Sequence, residues 1–184
     1  MSEPSKSDLR AAARTRRRLL AFPGFPAALA AHAGALGLAP GTVVGGYHAL
    51  PEEADPALLL ARLAEQGCPI AFPRVAARGA PLIFHRVPDG EVLRPGAYGI
   101  REPLEHWPAV TPDLLLVPLL AFDPALHRLG HGGGFYDRTL AALAPNGVRA
   151  VGVAFAGQKV DFLPRDAHDW PLDAILTEQG LLTR

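Results

Sequence analysis

Serine is nearly absent from this chain: the only three, Ser2, Ser5 and Ser7, all precede the first apolar run. That excludes a serine hydrolase, because no Gly-x-Ser-x-Gly turn exists to present a nucleophile. The His131-Gly-Gly-Gly134 run has the form of an esterase oxyanion hole but has no serine to serve. Cys68 is the only cysteine, so neither an internal disulfide nor a cysteine-built zinc site can form. Placed between Gly67 and Pro69, it reads as a small buried residue. Excess charge is lacking as well: 18 basic residues balance 18 acidic ones, which argues against general nucleic-acid affinity or a polybasic membrane anchor. No apolar run approaches the ~20 residues of a membrane span. The N-terminus lacks a hydrophobic signal core, and Glu3 and Asp8 count against a transit peptide. A soluble, cytoplasmic protein acting on small molecules, as a monomer, is the expectation.

At 184 residues and 49% hydrophobic, the chain suits one domain, residues 1–184, with a full core. Ser5 or Ser7 caps a helix to about Leu20, and Pro26 opens an alanine-rich helix to about Leu38. Thr42 to Leu50 reads as a strand leading to a loop. Asp55-Pro56 starts a helix that Gly67 stops. Further strands are expected at Pro69–Pro73, Pro81–Val87, Asp113–Pro118, Val148–Phe155 and Ala174–Thr177, with a helix from about Phe135 to Leu143. Strands alternating with helices predict an α/β fold, a largely parallel sheet covered on both faces. The long Pro/Gly-rich segment between Val87 and Asp113 reads as a functional loop. Its Tyr98 and Trp107 pack on a flat ligand or on the core.

The most informative stretch is DLLLVPLLAFDPALHRLGHGGGFYDRTL, Asp113 to Leu140. A strand apolar enough to be buried on both faces leads through a loop into a helix. Gly130, Gly132, Gly133 and Gly134 strip side chains from the backbone where the helix begins. Its first N–H groups and the positive dipole end lie open to an anion. Arg128 adds a fork of donors suited to phosphate oxygens, and Asp137 can hold a divalent metal beside them. A tight turn alone needs fewer glycines, given their entropic cost. The loop is not a Walker A motif, since no Gly-Lys-Ser/Thr closes it. Nor is it a dinucleotide fingerprint, since Phe135 stands where the third glycine belongs. His127 and His131 stand in His-x-x-x-His spacing, but on the loop before the helix and so not on one helical face, which leaves them and Asp123 and Asp137 a poor zinc set. Asp169 reads as a second carboxylate for a hard metal or as a turn residue. Lys6 and Arg10 share a helical face; with Arg14 to Arg18 they form a solvated basic face or one reaching the phosphate loop. Glu53 and Asp55 follow a strand end, where ligands of parallel sheets gather, and Asp55 also suits a helix cap.

Taken together, these residues resemble the 5-formyltetrahydrofolate cyclo-ligase (5,10-methenyltetrahydrofolate synthetase) family. The matching elements are Val117-Pro118, Ala121-Phe122-Asp123 and Arg128-Leu129-Gly130-His131-Gly132-Gly133-Gly134-Phe135-Tyr136-Asp137. Lys6 to Arg10, Tyr47 to Asp55, Gly99 to Pro103 and His168 to Glu178 complete them in order. The resemblance implies a three-layer α/β/α sandwich with a mostly parallel central sheet, like sugar-phosphate isomerases and CoA transferases. It implies cyclisation of 5-formyltetrahydrofolate to 5,10-methenyltetrahydrofolate with ATP and Mg²⁺, or a regulatory protein that binds ATP and folate without turnover. By the same resemblance Lys6 and Arg128 are catalytic, and Lys6, Arg10 and the loop Arg128 to Tyr136 contact ATP. Asp137 and Asp169 hold magnesium. Leu50, Glu53 and Asp55 face folate, and His131 to Phe135 lie at the ATP–folate junction. Three positions depart from the family pattern: Leu126 replaces a glycine, His131 a tyrosine or arginine, and Phe135 a tyrosine.

Overall fold

Ser5 starts the first helix by a reciprocal cap: its Oγ accepts the Asp8 N–H while the Asp8 carboxylate accepts the Ser5 N–H. The computed structural model describes residues 5–96, 99–166 and 169–184. Helix α1 spans Lys6–Leu20, α2 Phe25–Ala31, α3 Ala57–Glu65 and α4 Phe135–Leu143. The second helix ends well short of Leu38. At His32 the chain tightens into a 3₁₀ turn over Ala33–Leu36, closed by Gly37 at φ 63°.

Strands β1 (Val44–Gly45), β2 (Ile70–Arg74), β3 (Ile83–Arg86), β6 (Ala109–Val110), β7 (Leu114–Pro118), β10 (Arg149–Val153), β11 (Ala174–Thr177) and β12 (Gly180–Thr183) form one sheet, in the order β12-β11-β10-β7-β1-β2-β3-β6. The run from β2 to β11 is parallel, and β3, β6 and β12 are antiparallel edges. Two hairpins lie apart from it, β4 (Arg94–Pro95) with β5 (Arg101–Glu102), and β8 (Ala121–Phe122) with β9 (Arg128–Leu129). β7 lies at the centre and shows why the sheet is covered twice. Its Leu114 and Leu116 pack with Leu29 and Leu59 of α2 and α3, while Leu115 and Val117 pack with Leu140 of α4. The result is the expected α/β/α arrangement. No helix among the described residues is long and apolar enough to cross a membrane.

The parallel core and β3 stand where the sequence places strands, while the length of β1 and the segment between Val87 and Asp113 depart from expectation. β1 is only two residues long because Tyr47 turns the chain inward, its buried hydroxyl donating to the Ala54 carbonyl. The expected loop between Val87 and Asp113 carries β4, β5 and β6. Trp107 belongs to the core, buried with its carbonyl accepting the His85 Nδ1–H at 2.8 Å. Tyr98 lies outside the described residues.

Leu126 adopts a bend that glycine makes more readily. Its φ is 62°, and it is the sole described non-glycine residue in that region. The left-handed backbone costs about 1–2 kcal/mol for a residue with a Cβ. Burying the side chain against Phe122, Leu140 and Leu172 returns about 1.5–3 kcal/mol, before any cavity cost. Burial therefore outweighs strain. Leu126→Gly is expected to relax the turn and still lower unfolding stability by about 1 kcal/mol or more, as measured by urea denaturation.

Candidate active site

The site is built on the β8–β9 hairpin. Asp123, buried, folds its turn: Oδ1 accepts the N–H groups of Ala125 and His127, and Oδ2 lies 3.0 Å from His127 Nδ1. The returning strand begins with Arg128, which pairs with Asp137 and donates to the Trp170 carbonyl. Asp137 Oδ1 also accepts the Trp170 N–H at 3.3 Å. The turn chemistry of Asp123 and Leu126 thus fixes where the guanidinium lies.

Beyond Leu129 the glycine loop runs along the surface into α4. Gly132 (φ 99°) and Gly134 (φ 66°) adopt backbone that other residues resist. A Cβ on Gly132 would also sit 3.4 Å from the Arg10 guanidinium. Among the described residues the N–H groups of Gly132, Gly133 and Gly134 donate to no partner, which leaves them for water or an anion. Phe135 and Tyr136 open α4 behind them.

Helix α1 lies alongside. Its Leu9 and Ala13 pack on Ala121, Leu129 and Leu163, so its polar face meets the loop. Arg10 Nε donates to the Gly130 carbonyl at 3.1 Å. Lys6 Nζ donates to Asp166 at 2.7 Å and Asp169 at 2.6 Å. Of the two open readings of this basic face, the structure takes the one that reaches the loop. Arg17, three turns further on, is buried against Glu53 and Glu52. Glu53 also faces His131 Nε2 at 2.9 Å and accepts the Leu50 N–H. Asp55 Oδ1 accepts the Ala57 N–H at the start of α3. With Glu53, Phe22, Phe25 and Phe155 it lines a cleft of about 310 Å³.

Asp137 and Asp169 fit a hard cation by donor chemistry. The hydrogen bonds fall on Asp137 Oδ1 and Asp169 Oδ2, so the second oxygen of each carboxylate is the one a metal would take. Among the described residues no three His, Cys, Asp or Glu side chains cluster as a metal site. Two carboxylates completed by phosphate oxygens suit magnesium.

The stretches singled out in the sequence meet at this edge, together with several partners the sequence did not point to. Asp166 shares Lys6, Trp170 bridges Arg128 and Asp137, and Arg138 donates from α4 to the Gly133 carbonyl at 2.7 Å. Arg17 was visible in principle, since positions 6, 10 and 17 share one helical face.

The charges are tuned by their neighbours. Burial pushes the Asp169 carboxyl up, but the Asp166 N–H and Lys6 outweigh it and hold it below the ordinary range. Burial likewise pulls Lys6 down, and its two carboxylates more than reverse this. Burial pushes Glu53 up, but His131, the Leu50 N–H and Arg17 carry it below normal. Burial first, then the Glu53 charge, raises the Tyr47 and Tyr136 phenols, which stay protonated. Depressed carboxylates stabilise the fold above the ordinary carboxylate range, and that stability is lost as pH falls through their lowered values. Thermal melts on acidification are expected to show a shallower loss for Glu53→Gln than for the wild type.

A model of the 5-formyltetrahydrofolate cyclo-ligase family matches residues 2–178. A 5-formyltetrahydrofolate cyclo-ligase of Haemophilus influenzae is 42% identical over 88 residues, 46% of this chain and 47% of that one. One of Mycolicibacterium smegmatis is 40% identical over 93 residues, again 46% and 47%. The chain thus spans about half the length of these relatives in the aligned region. The NMR structure of Aquifex aeolicus 5,10-methenyltetrahydrofolate synthetase superposes with a TM-score of 0.79 at 30% identity, over 97% of this chain and 92% of that one.

Proposed function

The chain belongs to the 5-formyltetrahydrofolate cyclo-ligase family, and we propose that it closes 5-formyltetrahydrofolate to 5,10-methenyltetrahydrofolate, consuming ATP and releasing ADP and phosphate. The observation that carries this reading is that Arg128 leads into one exposed glycine loop and Arg10 bonds it, while Lys6 bonds Asp169, the neighbour of the Trp170 that Arg128 meets. Three cations and unpaired backbone donors beside a helix N-terminus suit a polyphosphate.

A formamide oxygen leaves poorly. In the proposed course it attacks the γ-phosphorus of ATP, the bond to the ADP oxygen breaks, and an imino-phosphate forms. N10 then adds to the formyl carbon and loses its proton, and the C–O bond breaks to expel phosphate. Both steps ask the protein to align two substrates and to neutralise charge on the moving phosphoryl group. Arg128 and Lys6 supply that charge, Arg10 holds the loop against α1, and the loop N–H groups orient the phosphates. Asp137 and Asp169 would hold Mg²⁺, which supplies charge neutralisation between phosphate groups. Leu50, Glu53 and Asp55 take the folate side, with His131 to Phe135 between the two. No protein nucleophile is required, in keeping with a chain that has no serine beyond Ser7 and a buried Cys68.

The test is the near-ultraviolet absorbance of methenyl-folate on mixing protein, 5-formyltetrahydrofolate and Mg²⁺, with and without ATP. An ATP-dependent rise is expected. ATP binding with no rise would point instead to a regulatory protein that binds and does not turn over. Arg128→Ala is expected to lose about 2–4 kcal/mol of transition-state stabilisation, read as a fall in kcat/KM. Asp137→Asn is expected to weaken the dependence of turnover on added Mg²⁺.

A further inference from the structure

Arg17 is 2% exposed, and among the described residues its Nε has no hydrogen-bond partner. Its Nη1 lies 3.6 Å from Glu53 Oε1 and 3.5 Å from His131 Nε2. The same Oε1 is 2.9 Å from that Nε2. Two groups, Arg17 Nη1 and His131 Nε2, therefore converge on Glu53 Oε1, and hydrogen-bond chemistry leaves one consistent assignment. A guanidinium has donors only, and a carboxylate accepts. If Nε2 carried a lone pair, it would face the Glu53 oxygen at 2.9 Å with no hydrogen between them. If Nε2 carries the proton, it donates to Glu53, and Arg17 stands by as the balancing charge. Glu53 cannot swing aside, because its Oε2 accepts the Leu50 N–H at 2.9 Å.

We propose that Arg17 and Glu53 are positioning residues that lock His131 with Nε2–H turned inward and Nδ1 left to face a ligand. Among the described residues Nδ1 has no partner, and the side chain is 35% exposed. The nitrogen that holds the proton is set by what the other side of the ring meets. With Nε2–H committed to Glu53, Nδ1 of the neutral ring offers a lone pair, suited to an N–H donor of the folate and not to a phosphate oxygen. This assignment of the ligand rests on the proposed reading that nucleotide and folate meet at this loop. The network is particular to a chain with histidine at this position. It also gives the buried end of α1 a task that Lys6 and Arg10 do not share.

Long-range ¹H–¹⁵N correlation of the full-length protein tests it, with the His131 ring identified by its loss in His131→Gln. The wild type and Arg17→Lys are expected to show a protonated Nε2 and an unprotonated Nδ1 in the neutral ring. The double variant Arg17→Met/Glu53→Leu removes the buried charges together, which folds more safely than removing one. It is expected to show a mixture of ring tautomers. Its KM for 5-formyltetrahydrofolate is expected to rise about 2- to 10-fold, as for one lost hydrogen bond, with the KM for ATP little changed. A proton on Nδ1 alone in the wild type, or a folded double variant with the wild-type ring spectrum, overturns the proposal. A wild type that makes no product would sink the functional reading, while the spectrum would still decide the ring geometry.

Discussion

The packing of Leu9 and Ala13 on the β8–β9 hairpin is the contact on which the site depends. It sets α1 down along the glycine loop, so that side chains one and two turns apart reach different parts of one edge of the protein. Leu20 anchors the far end by covering Gly157, where a Cβ would collide with it. Without this apolar seam, Lys6, Arg10 and Arg17 would be an ordinary solvated face. With it, residues more than a hundred positions apart in sequence become one electrostatic unit.

That unit is balanced group by group. Lys6 faces Asp166 and Asp169, Arg128 faces Asp137, Arg17 faces Glu53, and Arg18 faces Glu52. Burying an unpaired charge costs several kcal/mol, so this pairing is what lets the cations be partly withdrawn from water. In the proposed nucleotide-binding reading, an anionic ligand entering here would trade partners with those carboxylates. Magnesium arriving with a nucleotide suits such an exchange, since it gives the released carboxylates a cation in return.

The parallel core and the glycine loop were legible in the sequence because both leave strong local signals. Leu114 to Val117 read as a strand buried twice, and Gly130 to Gly134 read as a loop stripped for an anion. The shortest strands were not legible. β6, β8 and β9 are two residues long, too short to show alternation. The end of α2 at Ala31 was hidden because alanine suits the helix on both sides of it. At the site, Arg17 was grouped with its exposed neighbours, since burial under a distant loop leaves no mark in spacing. Nor did the sequence show that Leu126 adopts a left-handed backbone, since that depends on the core that holds its side chain.

The central claim is that α1 and the glycine loop form a single nucleotide-binding unit. Hydrogen–deuterium exchange with and without Mg²⁺ and ATP tests it most directly. The account expects residues 6–17 and 130–137 to gain protection together on adding both ligands, and the gain in both segments to vanish in Lys6→Met. Protection confined to one segment, or arising elsewhere in the chain, would contradict it.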